Sequence, residues 1–548
     1  MNESPLQTAR YEYQPKTPDV LRDNVMIRVG EPTESIADRQ EIQRAFPNTY
    51  GSPLVYFEKS AIKIDYPQIN VGVILSGGQA PGGHNVIAGL FDSLKKLNSN
   101  NRLYGFLGGP GGLIEHQYKE LTANIIDAYR NTGGFDIIGS GRTKLETEEQ
   151  FESGLRICEK LNIKAIVIIG GDDSNTNACI LAEYYMQKGS DVQIIGCPKT
   201  IDGDLKNEMI ETSFGFDTAC KVYSELIGNI QRDAGSARKY WHFIRLMGRS
   251  ASHITLECSL LCQPNITIVS EEVEAKNFTL NDIVEDIAVV IAKRADAGLN
   301  FGTILIPEGL LEFISAIKKL IAELNDLLAD NNEILNLNTN DQKYDFITKI
   351  LSEENKKTFF SLPKAIALQL SLDRDSHGNV QVSLIETEKL LIEMVGKRLE
   401  QMKSEGKYKG KFSSVNHFFG YEGRCASPSN FDADYCYSLG VTASLLVVAG
   451  KTGYMASIKN LTAHASKWLA GGVPITMMFN MEKKSGKLKP VIQKALVNLD
   501  GEPFKFLQTN RELWASAEDT FVYPGAIQYF GPSEVCDKPT RTLLLESR

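Results

Sequence analysis

Two stretches of this chain share one grammar. "VGVILSGGQAPGGHNVIAGLFDSLKKL", starting at Val71, passes from a β-branched apolar run through a glycine loop into a helical segment. "KAIVIIGGDDSNTNACILAEYYMQKG", starting at Lys164, repeats the pattern, with Gly189 placed as a C′ glycine after its helix. A third apolar run, "VQIIGC", leads into the polar loop "PKTIDGDL". Short apolar runs alternating with helical segments read as parallel strands covered on both faces. Ligands in such sheets bind beyond the carboxyl ends of the strands. The three polar loops are therefore expected along one edge.

A second set of strands follows in "YWHFIRLMGR" and "FGTILIPEGL", and reads as a second α/β domain facing the first. The texture then changes. In "LLEFISAIKKLIAELNDLL", Leu310, Phe313, Ile314, Ile317, Leu320, Ile321, Leu324, Leu327 and Leu328 recur at helical spacing. This stretch is expected to be a helical insertion packed on its own domain, with a partner-seeking helix as the alternative. Residues 1–70 are polar and proline-containing, and read as an irregular extension wrapped onto the body. The expected organisation is 1–70 extension, 71–213 first α/β domain, and 214–422 second α/β domain with its insertion at about 310–410. Residues 423–548 then return to the first domain and add a C-terminal segment.

Composition narrows the partners. The chain of 548 residues carries 59 Lys and Arg against 68 Asp and Glu, a net charge of −9. That balance argues against nucleic acid or an acidic membrane as the main partner. The longest apolar run, "LGVTASLLVVAG", is too short and too interrupted to span a bilayer, and "MNESPLQTARYEYQPK" lacks the apolar core of a signal peptide. The nine cysteines are scattered without a CxxC pair, which suits reduced thiols in a cytoplasmic protein. No histidine has metal spacing, and no GxSxG signature occurs.

The chemistry-bearing residues cluster at the strand ends. "SGGQAPGG", Ser76–Gly83, offers backbone N–H groups to phosphate, although it lacks the P-loop lysine and the GxGxxG spacing and reads equally as a tight strand-to-helix turn. "GSGRTK" adds Arg142 and Lys144, phosphate ligands or solvated charges. "PKTIDGDL" sets Lys199, Thr200, Asp202 and Asp204 within six residues. A carboxylate there can take a proton from an alcohol and a lysine can meet phosphate, or the segment is an Asx-type turn. "MGR" and "GYEGR" each set an arginine beside a glycine, suited to an anion or to an ordinary salt bridge. Taken together, glycine loops, arginines, one lysine and several aspartates at strand ends suit phosphoryl transfer with Mg²⁺.

In sequence and order, "SGGQAPGG", "GGDDS", "PKTIDGD", "MGR", "PEG" and "GYEGR" resemble the phosphofructokinase family, specifically the long form of its pyrophosphate-dependent branch. The resemblance covers roughly residues 70–540. It implies an α/β fold of two facing Rossmann-like domains, with an N-terminal extension and a helical insertion. It implies reversible, glycolytic phosphoryl transfer from Mg²⁺-pyrophosphate to the 1-hydroxyl of fructose 6-phosphate. Gly78 would contact pyrophosphate, Arg142 would span the two phosphoryl groups, and Asp172 would hold the metal. Asp202 would be the proton acceptor, with Asp204 a second acidic group nearby. Thr200, Ile201, Met247, Gly248, Arg249, Glu308, Tyr421, Glu422, Gly423 and Arg424 match sugar-phosphate-binding positions. Lys239 and Tyr240 match a basic segment that enters the neighbouring subunit's site, which implies at least a homodimer.

The donor is implied by two residues. ATP-dependent members carry glycine where this chain has Asp173 and Lys199. A carboxylate near 4 Å from an α-phosphate costs about 4 kcal/mol at an effective dielectric near 20, and pyrophosphate has no α-phosphate to repel. Lys199 can then neutralise charge on pyrophosphate as the bond breaks. An ATP-dependent enzyme and a non-catalytic regulatory subunit are the competing readings. The first expects glycine at 173 and 199, and the second expects loss of the "TIDGD" aspartates or the arginines.

Overall fold

The computed structural model describes residues 4–62, 64–329, 337–372, 384–484 and 487–527. They form two compact units. One is built from the chain up to Ala219 with Tyr421–Ala495, the other from Cys220–Gly420 with Leu496–Ala526. The first unit opens with β1 (Val25–Pro32), β2 (Pro53–Lys59), β3 (Asn70–Leu75), β4 (Arg102–Phe106), β5 (Tyr118–Glu120), β6 (Ile163–Gly170) and β7 (Gln193–Thr200). The second supplies β8 (Tyr240–Leu246), β9 (Ile266–Thr267), β10 (Phe301–Pro307) and β11 (Ser414–Phe419). The chain then returns to the first unit for β12 (Tyr454–Lys459) and β13 (Leu469–Pro474).

In the first unit the strand order is β1-β2-β13-β12-β7-β6-β3-β4-β5. Its centre, β12, β7, β6, β3 and β4, is parallel. β3 is buried at every position and β6 at all but Lys164, as expected for strands covered on both faces. Helix α1 (Gly83–Leu97) follows β3 and α2 (Asp172–Gln187) follows β6. Gly189 sits at φ +69° after α2, and the Ser190 N–H reaches back to the Tyr185 carbonyl, the six-to-one bond of a glycine C-cap.

Two expectations require correction. The N-terminal segment is not irregular: β1 and β2 form an antiparallel pair, and β2 joins the sheet through β13. An added strand covers backbone groups that an open sheet edge would leave unpaired. "FDII", Phe135–Ile138, is a turn rather than a short strand. Gly134 and Gly139, at φ +83° and +69°, bend the chain on either side, and Phe135, Ile137 and Ile138 are buried as an apolar plug. Of the eight described cysteines seven are buried and Cys425 is exposed; Cys536 lies outside the described residues. Among the described residues no helix is long and apolar enough to cross a membrane.

Helix α1 crosses the helix Asn430–Val448 at backbone contact. A Cβ on Gly89 would lie 2.1 Å from the Tyr437 carbonyl oxygen, and one on Gly440 would lie 2.1 Å from that of Val86. Gly89→Ala should therefore force the two helices apart and cost roughly 1–3 kcal/mol or more. Thermal denaturation checks it, and an unchanged melting temperature refutes it.

In the second unit β9-β10-β8-β11 is wholly parallel. Helices α3 (Leu280–Asp296), α4 (Ser315–Ala329) and α5 (Thr387–Ser404) share one core with its strands. Ile317, Leu320 and Leu324 belong to the same buried cluster as Phe243 and Ile306, so the insertion packs on its own unit. Leu496–Ala526, sequence-assigned to the stretch after the return to the first domain, belongs to this second unit. Arg245 of β8 and Glu388 of α5 form a 2.7 Å ion pair with side chains only 5% and 3% exposed. Burial pushes the Glu388 carboxyl pKa up although Arg245 opposes the shift. Arg245→Met would strand that carboxylate, with an expected loss of about 3–5 kcal/mol in urea unfolding.

Candidate active site

The first unit gathers the carboxyl ends of β3, β6 and β7, parallel neighbours in the sheet. Ser174 at the start of α2 donates its hydroxyl to Ser76 at the end of β3, 2.8 Å away. The Gly77 N–H donates to the Gly141 carbonyl at 2.9 Å, which draws "GSGRTK" alongside the first glycine loop. Arg142, next in that loop, is exposed. Gly77 turns at φ +83°, and an ideal Cβ there would sit 3.4 Å from Lys199 Nζ. An ideal Cβ on Gly78 would sit 3.4 Å from Arg424 Cζ, with Nη1 and Nη2 at 3.4 and 3.6 Å. The guanidinium thus lies over Gly78, at the van der Waals contact distance of a Cβ built there.

Lys199 is buried, 7% exposed. Burial lowers its pKa from 10.5 to about 8, partly offset by Asp202, while Arg424 lowers it further. Thr200 is half-buried and Ile201 buried; the Asp202 N–H donates to Thr200 Oγ1 at 3.1 Å. Asp202 Oδ1 is buried and accepts no hydrogen bond within the described residues. Asp204 is buried, and desolvation followed by the neighbouring Asp202 raises its carboxyl to about 7 against the pull of Lys494.

Asp172 and Asp173 occupy the first turn of α2, where the partial positive charge of the helix end favours carboxylates. Asp173 is exposed. Lys494, which the sequence reading missed, places Nζ 3.5 Å from Asp172 and 3.8 Å from Asp204. Nothing in "PVIQKALV" marks it; the Ala495 N–H bonds the Asp204 carbonyl at 2.8 Å and brings that remote segment in. The short helix Tyr421–Arg424 carries the rest of this group: Tyr421 and Glu422 are exposed and Gly423 is buried. So Lys199 and Arg424 lie against the Gly77–Gly78 loop, Asp202 acts electrostatically on Lys199, and Asp172, Asp204 and Lys494 form an adjoining charged set.

The second unit gathers the remaining residues at the carboxyl ends of β8 and β10. The Gly248 N–H, at φ +123°, donates to Glu308 Oε2 at 3.0 Å. The Met247 N–H bonds the Phe419 carbonyl at 3.0 Å, and Gly309 packs against the Arg249 carbonyl. Met247, Gly248, Arg249 and Glu308 are thus one cluster. Lys239 and Tyr240 are not part of it. They stand at the opposite end of the seven-residue β8, about 20 Å away along the strand, with the Lys239 ammonium 5.0 Å from the Tyr240 ring centre and Tyr240 at φ +73°.

Comparison with known proteins identifies the family. Residues 70–447 match the family model described as phosphofructokinase. The chain is 63% identical to a pyrophosphate–fructose 6-phosphate 1-phosphotransferase of Porphyromonas gingivalis, covering all of this chain and 99% of the relative. It is 55% identical to the same-named protein of Treponema pallidum, covering 100% and 97%. A β subunit of that enzyme from Arabidopsis thaliana is 50% identical, covering 99% and 94%. Among solved structures, a pyrophosphate-dependent phosphofructokinase from Marinobacter aquaeolei shares the fold, with TM-score 0.53 and 16% identity over 86% of this chain and 98% of that one. Match length and whole-chain identity agree: this chain belongs to the phosphofructokinase family.

Proposed function

We propose that the protein transfers a phosphoryl group from Mg²⁺-pyrophosphate to the 1-hydroxyl of fructose 6-phosphate, giving fructose 1,6-bisphosphate and phosphate, and that the reaction is reversible. The observation that carries the donor is the buried Lys199 ammonium at Gly77, with Asp173 on the adjoining helix turn. The names of the relatives support it. Lys199 and Arg424 hold the pyrophosphate oxygens at the Gly77–Gly78 loop, and Arg142 spans both phosphoryl groups. Asp202 accepts the proton of the attacking hydroxyl. In the second unit Met247, Gly248, Arg249 and Glu308 serve the sugar phosphate, and in the first unit Thr200, Ile201, Tyr421, Glu422, Gly423 and Arg424 are assigned to the same ligand.

A divalent metal suits these residues. Mg²⁺ keeps several waters and takes one or two carboxylates together with phosphate oxygens. Asp172, with Asp204 beside it, provides that set, while among the described residues no three His, Cys, Asp or Glu side chains converge as a protein-only site. The ion supplies charge neutralisation on the phosphoryl oxygens. Lys239 and Tyr240 enter a neighbouring subunit's site, so the active form is at least a homodimer. Their place at the far end of β8 from Met247 supports this. A donor comparison on the purified chain tests the whole reading: turnover with pyrophosphate and little with ATP is expected, and the reverse sinks it.

A further inference from the structure

Lys494 has no part in the reaction as just proposed, yet it sits among the acidic residues of the metal set. Asp172 opens helix α2 and Asp204 lies in the loop after β7, and Lys494 Nζ approaches both, at 3.5 and 3.8 Å. Two carboxylates sharing a partly buried site repel one another unless a cation stands between them. Lys199, whose Nζ lies by Gly77 and Gly171, also feels both carboxylates, but Lys494 is the lysine whose Nζ stands within ion-pair distance of the two. Its register is set by the bond from the Ala495 N–H to the Asp204 carbonyl. Its own side chain is 36% exposed, which leaves the long stem room to swing.

We infer that Lys494 is the resident counter-cation of the Asp172–Asp204 pair, and that it keeps a free divalent ion out so that the metal enters only together with pyrophosphate. The inference rests on the pyrophosphate reading above. A free dication approaching these oxygens meets the ammonium that already satisfies them. Pyrophosphate brings negative charge that gives Lys494 another partner, and the carboxylates become available at the same moment. By linkage, the metal and the anion then strengthen each other's binding by the same factor.

The test is Mn²⁺ titration of the full-length protein, followed by electron paramagnetic resonance, with and without methylenediphosphonate as a non-transferring pyrophosphate analogue. Wild type should bind Mn²⁺ weakly alone and much more tightly with the analogue. Lys494→Gln should bind Mn²⁺ alone roughly tenfold more tightly and lose most of the coupling. Lys494→Arg, which keeps the charge, should resemble wild type. Adding Asp172→Asn to Lys494→Gln should abolish the gain, placing the ion at this carboxylate. Unchanged Mn²⁺ affinity in a folded Lys494→Gln protein overturns the inference, as does a gain that survives Asp172→Asn or appears equally in Lys494→Arg. Failure of the donor reading shows separately, as wild-type protein that does not turn over pyrophosphate.

Discussion

Asp202→Asn should lower turnover with pyrophosphate by about 10²–10⁴-fold while leaving fructose 6-phosphate affinity within a few-fold of wild type. The substitution preserves shape, and the backbone N–H that bonds Thr200 Oγ1 is untouched. What it removes is the proposed proton acceptor. Asp202 Oδ1 is buried and receives no hydrogen bond from the described residues, so a substrate hydroxyl is the donor that would satisfy it. An amide oxygen can still accept a hydrogen bond, which keeps the sugar in place, but it cannot carry the proton away. Steady-state kinetics alongside equilibrium binding of the sugar phosphate separate the two effects. A loss confined to KM would show that Asp202 only binds.

The second large effect is expected at Lys199. Lys199→Met should reduce kcat/KM for pyrophosphate by about 10²–10³-fold, the range for removing one preorganised charge-stabilising donor from a desolvated site. The ammonium is buried and faces the Gly77 loop. Its pKa is lowered to about 8, first by burial, and this adds a pH signature. A lysine is cationic below its pKa, so in the free enzyme the charge is present below about pH 8 and is lost as pH rises through that value. Because kcat/KM reports groups of the free enzyme, its value for pyrophosphate should fall above about pH 8. Lys199→Arg should extend the plateau upward, because guanidinium stays charged. A profile that is flat to pH 10 in wild type would remove Lys199 from donor binding.

Much of the parallel core was readable from residue order. β3, β6, β7, β8 and β10 are apolar runs bounded by glycine loops or polar turns, and they form where that pattern places them. "FDII" misled because four apolar residues suit a strand and a buried turn equally, and local pattern carries no information on which surface receives them. The N-terminal strands were missed because β1 alternates between exposed and half-buried positions without a strong apolar face. Its partner β2 reaches the sheet through β13, more than four hundred residues away in sequence.

The same division runs through the site. Residue types and spacing put Lys199, Asp202 and Arg424 among the candidates, because phosphate chemistry demands particular charges at strand ends and the chain order of a parallel sheet delivers them there; the family resemblance added Asp172 as a metal carboxylate. Only tertiary structure decided that Arg424 lies over Gly78, that burial brings the Lys199 pKa down to about 8, and that Lys494 stands between Asp172 and Asp204. Those facts depend on distance, burial and the meeting of segments remote in sequence. A one-dimensional pattern records which charges are present, but their energies depend on what surrounds them.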